Sequence, residues 1–221
     1  MPSHVVFDVN ETLSDMASLS DRFAEIGAPS ALAPLWFASV LSDGFALTVT
    51  GDTARFAVIG AERLRSLLDP ADLSVRIGDA VAHILAGFGQ LDVHPDVPDG
   101  VRQLRAGGLT LVTLSNGAAD VAETLLRRVG LSDEFEQFLS VDDAGAWKPA
   151  RAAYLLATEA CAVDAAEMVL VAVHPWDIHG ATHAGMRTAW INRTGAPYPS
   201  YFSRPEFEAS TIGEFNALLH R

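Results

Sequence analysis

The stretch His4-Val5-Val6-Phe7-Asp8, continuing Val9-Asn10-Glu11-Thr12-Leu13, decides how the rest of the chain is read. A short β-rich apolar run stopped by polar residues predicts a buried strand with an acid at its carboxyl end. From about residue 14 to residue 91 the apolar spacing becomes helical. The sets are Leu19, Phe23 and Ile26; Leu32, Leu35, Trp36 and Val40; Phe56, Ile59, Leu64 and Leu67; and Val81, Ile84, Leu85 and Phe88. They predict four helices divided by Gly27-Ala28-Pro29, Gly51-Asp52 and Asp69-Pro70. After His94-Pro95-Asp96-Val97-Pro98 the chain alternates. Helices are expected over 101–106, 118–129, from Pro149 to about 160, and over 178–184. Strands are expected over 109–114, 138–141, 169–173 and 188–191. Pro149 suits a first helical position. Such alternation implies an α/β fold, a parallel sheet with helices on both faces. Residues 1–13 and 92–221 form the core in this reading. Residues 14–91 form a helical cap over the carboxyl ends of the strands, where open parallel sheets bind ligands.

Composition narrows the function classes. The 221 residues are 49% apolar and 19% charged, which excludes a disordered chain. The net charge is -13 and the longest basic run is Arg127-Arg128, so no nucleic-acid partner is expected. Cys161 is the single cysteine; it excludes an intrachain disulfide and is read as a buried thiol in a helix. The start of the chain carries no basic leader, and the longest clear apolar run, 168–173, is far too short to span a bilayer. A cytoplasmic protein without a membrane partner is therefore expected.

Four polar clusters fall at expected strand ends: Asp8 to Thr12, Ser115-Asn116-Gly117, Lys148-Pro149, and His174-Pro175-Trp176-Asp177. On one edge of a parallel sheet they converge. Asp8 suits a nucleophile, because a carboxylate can form an ester and divide one hard displacement into two easier steps. Thr12 and Ser115 are hydroxyls able to orient it or a substrate. Among 15 basic residues Lys148 is the only lysine, the other 14 being arginine. An ammonium beside Asp8 would keep that carboxylate ionised, and a compact point charge is not replaceable by guanidinium in a tight site. Histidine as a residue type titrates near neutrality, which makes His174 a candidate base with Asp177 orienting it or a water. His179 and His183 are one helical turn apart but have no third ligand at suitable spacing, so they are read as a surface pair rather than a metal site.

Phe7-Asp8-Val9-Asn10-Glu11-Thr12-Leu13, Leu114-Ser115-Asn116-Gly117, Lys148-Pro149 with Tyr154, Trp176-Asp177 followed by Gly180-Ala181, and Trp190-Ile191-Asn192-Arg193 resemble the haloacid dehalogenase (HAD) superfamily. They are most similar to its type II, L-2-haloacid dehalogenase branch. The resemblance implies a Rossmann-like parallel-sheet core with an inserted helical cap, and hydrolysis of a 2-haloalkanoate with no metal or organic cofactor. It further implies that Asp8 displaces halide to form an ester, which water then hydrolyses. Thr12 and Lys148 would hold Asp8, Tyr154 would support the lysine, and Asp177 would position water. Ser115 and the amides of Val9 and Asn10 would receive the substrate carboxylate, with Asn116 near the departing halogen. Trp36, Phe37, Phe45, Phe56 and Trp176 are candidates for an apolar pocket. A homodimer is also implied.

The chain departs from this pattern at three places. Asn10-Glu11 stands where the family usually has Tyr-Gly. Phe37 stands where an arginine commonly assists halide departure, leaving Arg22, Arg55 and Arg76 as candidate substitutes. Ala172 and His174 stand where the family has water-positioning Ser and Asn. Two other readings compete. A phosphatase of the same superfamily would use Mg²⁺, but it needs a second acid where Asn10 stands. A non-catalytic binding protein would keep the fold alone.

Overall fold

The computed structural model describes residues 2–220. Its main sheet has six strands: β1 (His4–Phe7), β4 (Thr110–Ser115), β5 (Gln137–Ser140), β6 (Met168–Ala172), β7 (Arg187–Ile191) and β8 (Phe207–Ala209), in the order β5-β4-β1-β6-β7-β8 and parallel throughout. β1 is central, with Phe7 level with Thr113 on one side and Val171 on the other. Val5, Val6 and Phe7 are completely buried, as a strand covered on both faces requires. Alternate side chains point to opposite faces. Val6, Val112, Leu114 and Leu170 join one apolar cluster; Val5, Phe7, Leu111 and Val169 join the other.

The helices are α1 (Leu19–Glu25), α2 (Leu32–Thr50), α3 (Phe56–Leu67), α4 (Ile77–Phe88), α5 (Val97–Ala106), α6 (Ala119–Arg128), α7 (Arg151–Cys161), α8 (Pro175–Ala184) and α9 (Ile212–Leu219). The first four pack on one another, and their cores join the cluster on the Val6 face of the sheet. A small antiparallel pair, β2 (Ser14–Asp15) with β3 (Asp92–Val93), fastens together the two connections to this helical layer. By length and composition alone α2 is apolar enough to cross a membrane, so the longest apolar stretch is this helix rather than residues 168–173. Here it buries Ala33, Trp36, Phe37, Val40, Leu41 and Gly44 against neighbouring elements.

Several expectations need correction. Pro149 is not at a first helical position: α7 begins at Arg151 with extended Ala150 before it, and Lys148-Pro149 is a cis peptide in the preceding turn. Cys161 is half-buried at the end of α7 rather than buried, and burial followed by Glu136 raises its thiol pKa. The sequence reading missed β8 and α9, which are three and eight residues long. A local signal for α9 was present in Thr211-Ile212-Gly213-Glu214. The Thr211 hydroxyl accepts from the Glu214 amide, while the Glu214 carboxylate accepts from the Ser210 amide.

Candidate active site

The strand ends bring Asp8, Ser115 and the segment after Ala172 to one sheet edge. Asp8, 3% exposed, accepts from the Thr12 hydroxyl at 2.6 Å through Oδ2 and from Lys148 Nζ at 2.8 Å through Oδ1. The chain turns tightly after Asp8, with the amides of Leu13 and Ser14 both donating to the Val9 carbonyl. That turn places Thr12 under Asp8. The Thr12 hydroxyl also accepts from the Val173 amide at 3.0 Å, which ties it to the end of β6.

Lys148 is fully buried, and its ammonium also donates to Asp177 Oδ2 at 2.7 Å. The other oxygen of Asp177 accepts from the Tyr154 hydroxyl at 2.6 Å. Asp177 lies in the first turn of α8, where the helix dipole favours an anion. Gly180, one turn on, lets α7 approach. A Cβ there would lie 2.5 Å from the Tyr154 hydroxyl and 2.6 Å from Pro149 Cβ. Burial pushes the Lys148 pKa down, but Asp177 and Asp8 together outweigh it, and the net shift is upward. Burial, followed by the charge of Asp177, holds the Tyr154 hydroxyl well above its usual range. For Asp177, burial raises the pKa against the pull of Lys148.

The Lys148 backbone is gripped from both sides. Its amide donates to Asn116 Oδ1 at 2.9 Å, and its carbonyl accepts from Asn116 Nδ2 at 3.3 Å. Asn116 therefore orients the lysine turn. Trp147 reaches into the helical layer, its amide donating to the Thr48 hydroxyl and its indole to the Ala54 carbonyl. Ser115 Oγ accepts from the Gly117 amide at 2.9 Å. Among the described residues, no hydrogen bond takes up the amides of Val9 and Asn10.

A family model for haloacid dehalogenase-like hydrolases matches residues 2–185. The chain belongs to that family. This hydrolase is 29% identical to haloacetate dehalogenase H-2 of Moraxella sp. (strain B), over 98% of its own length and 96% of the relative's. It is 29% identical to the (S)-2-haloacid dehalogenase of Pseudomonas sp. (strain YL), over 94% and 90% respectively. Among solved structures, it matches the L-2-haloacid dehalogenase of Xanthobacter autotrophicus with chloropropionic acid covalently bound at a TM-score of 0.88. That match has 26% identity and covers 100% of this chain and 99% of the other.

The hydrolase differs from the sequence expectation around His174. The Asp177 carboxylate is occupied by Lys148 and Tyr154, and it does not orient the imidazole. His174 Nε2 instead lies 3.6 Å from Glu11 Oε2, 3.7 Å from Asp8 Oδ2 and 3.2 Å from the Asn10 carbonyl. The ring stacks on Trp176 at 5.0 Å and faces Phe37 at 6.3 Å. Glu11, which the sequence reading did not single out, has φ 63°, a left-handed conformation unusual for a residue with a side chain. Its signal in the sequence was its place where the family has glycine. Burial raises the Glu11 carboxyl above the ordinary 4.5, with His174 pulling it back and Asp8 adding to the rise.

The remaining candidates divide. Phe45 packs on Trp176 at 5.1 Å, and Trp176 lies 6.0 Å from Lys148 Nζ, so both border the site. Trp36 does not. Its indole donates to the Gly60 carbonyl and its ring meets Phe56 and Phe88 edge-on inside the helical layer. Arg22 bonds Gln90, Arg55 is 82% exposed near Asp142, and Arg76 pairs with Asp79, so none of the three arginines serves Asp8. His179 and His183 lie ring to ring at 4.4 Å, with Ser203 bonding His179. Among the described residues, no three His, Cys, Asp or Glu side chains gather as a metal site.

Proposed function

We propose that this hydrolase removes halide from short 2-haloalkanoates through an ester on Asp8. The observation that carries the reading is the double hold on Asp8, by Thr12 at 2.6 Å and by a fully buried lysine at 2.8 Å. Such a hold fixes the carboxylate in one orientation, as displacement at carbon demands. The carboxylate attacks C2, the carbon–halogen bond breaks, and halide leaves with inversion. The unclaimed amides of Val9 and Asn10 and the Ser115 hydroxyl suit the substrate carboxylate. Phe37, Phe45 and Trp176 supply an apolar wall. Residues 14–91 act as the cap, and residues 1–13 with 92–221 as the core.

In the second step His174 takes the place of the water-positioning side chains. Its Nε2, 3.7 Å from Asp8 and 3.6 Å from Glu11, accepts a proton from water attacking the ester carbonyl of Asp8, and Glu11 takes that proton on. No metal is required by this scheme. The Lys148 ammonium sits 2.8 Å from Asp8 and 2.7 Å from Asp177, so those two carboxylates already share a cation. The same feature disfavours the Mg²⁺ phosphatase reading. A non-catalytic role leaves the desolvation cost of a buried two-carboxylate, one-ammonium cluster without a return.

The test is halide and phosphate release from 2-chloropropionate, fluoroacetate and a general phosphate ester, with and without Mg²⁺. Metal-independent halide release is expected. Phosphate release that needs Mg²⁺, with no halide, would overturn the reading. Asp8→Asn should release no halide, and single turnover in ¹⁸O water should label the Asp8 peptide.

A further inference from the structure

Resting on the dehalogenase reading, the second step has a transport requirement. Water oxygen bonds to the Asp8 ester carbonyl carbon and gives one proton to His174. The bond from Asp8 to the substrate oxygen then breaks, and the departing alkoxide takes the water's second proton. Asp8 returns as a carboxylate, the product is a 2-hydroxy acid, and the proton on His174 must leave. Asp8, Lys148 and Asp177 are all buried, so one water must enter and one proton must depart in each cycle.

A cavity of about 480 Å³ adjoins His174, lined in part by Glu11, Asp15, Ala17, His94 and Arg193. Arg193 is already committed, Nη1 donating to Asp96 at 2.6 Å and Nη2 to the Thr12 carbonyl at 2.8 Å. Asp96 offsets its charge. Glu11 meets His174 at 3.6 Å, and the Glu11 carbonyl meets His94 Nε2 at 2.9 Å. His94 Nδ1 in turn lies 3.9 Å from Asp15 Oδ2. Along the cavity wall stand His174, 3.7 Å from Asp8, then Glu11, His94 and Asp15. With Arg193 offset, the fixed charge of that wall is that of Glu11 and Asp15. A haloacid carboxylate or a departing halide meets like charge there, whereas water and a proton do not.

We propose that this cavity is the water inlet and proton outlet of the ester-hydrolysis step, with Glu11 receiving the proton from His174 and Asp15, beside His94, handing it to solvent. The raised carboxyl of Glu11 makes it a better proton acceptor than an ordinary glutamate. Its charged and titratable neighbours are His174, Asp8 and His94; those of the outer part are Asp15, His94 and the Arg193–Asp96 pair.

Rapid mixing with 2-bromopropionate separates the steps, since the bromide burst reports ester formation and mass spectrometry of the Asp8 peptide reports ester decay. Two substitutions test the passage without touching Asp8: Asp15→Asn removes an acid, and Ala17→Trp, at an exposed position, fills the cavity. In both, ester decay should slow on the order of tenfold while the bromide burst stays within about twofold. Added imidazole should restore part of the rate in Asp15→Asn and none in Ala17→Trp. Ester decay at the wild-type rate in both variants overturns the proposal, as does an Ala17→Trp variant that slows the burst instead. Absence of any bromide release from the wild-type protein removes the dehalogenase reading itself.

Discussion

Replacing Glu11 with glycine separates what this residue costs the fold from what it gives the chemistry. At φ 63° the Cβ of an L-residue crowds the following carbonyl, at about 1–2 kcal/mol. Glycine removes the crowding but loses more chain entropy on folding, about 0.5–1 kcal/mol. The difference favours Glu11→Gly by about 0.5–1 kcal/mol. Losing a carboxyl whose charged form burial disfavours acts in the same direction. Loss of the attraction to His174 at 3.6 Å opposes it, but the Glu11 side chain is 42% exposed and that attraction is screened. The bonds from the Glu11 amide to Ser14 and from His94 to the Glu11 carbonyl involve only backbone atoms of residue 11, so glycine keeps them. In a chain of 221 residues the gain amounts to a rise in Tm of about 1–4 °C. Calorimetry measures that rise, and quenched-flow mass spectrometry measures ester decay, which should fall on the order of a hundredfold. Glu11→Gln is the control, because it keeps the strained backbone and loses the charge. It should slow ester decay similarly without the stability gain. A glycine variant melting below wild type would refute the strain account, and one clearing its ester at the wild-type rate would refute the chemical role.

Lys148→Met leaves Asp8 and Asp177 buried without their shared partner, which should cost about 3–5 kcal/mol in urea unfolding and abolish halide release. The double variant Lys148→Met/Asp177→Asn should regain part of that stability and none of the activity; equal stability of the two variants would contradict the charge argument. Because the folded-state pKa of Lys148 is raised above 10.5, its contribution to stability is complete below that pH and is lost as pH climbs through the raised value. Alkaline unfolding curves should therefore show a limb above pH 10.5 that Lys148→Met lacks. Gly180→Ala drives a methyl into the Tyr154 hydroxyl and Pro149, which should cost about 1–3 kcal/mol and lower kcat. Tyr154→Phe should cost less in the Gly180→Ala background than in the wild-type protein, because there it also removes the crowded oxygen, and equal costs in both backgrounds would show that the clash lies elsewhere.

The parts of the fold that were legible are those whose patterns are local. The apolar run before Asp8 reads as a strand because both faces of β1 are buried. The helical spacing from Leu19 to Phe88 reads correctly because α1, α3 and α4 each bury their own apolar set, whereas α2 is apolar nearly all round and is read from its length between turns. Lys148 was legible from composition alone, as the only lysine. Pro149 was misread because a proline before a helical stretch satisfies local rules for a first turn. Here the turn at 148–150 is shaped by Asn116, 32 residues away, which grips the lysine backbone. Trp36 was misread for a related reason. A tryptophan on an apolar helix face looks the same whether the face meets a substrate or Phe56 and Phe88.

Glu11 illustrates what one sequence withholds and what a structure adds. Among the departures from the family pattern, three concern the second step: glutamate for glycine at position 11, histidine for asparagine at 174 and alanine for serine at 172. The fold places Glu11 and His174 in contact although 163 positions separate them, with Nε2 between two carboxylates. That contact makes the departures interdependent. A neutral amide can hold a water with no partner, whereas an imidazole working as a base needs an acceptor for the proton it collects. The available carboxylate sits on the turn after Asp8, in a backbone conformation that glycine adopts without cost and glutamate does not. Strain at such a position persists when the side chain is needed there. The expected signature is a substitution that raises Tm and lowers turnover together, because the same Cβ that crowds the backbone carries the carboxylate to His174.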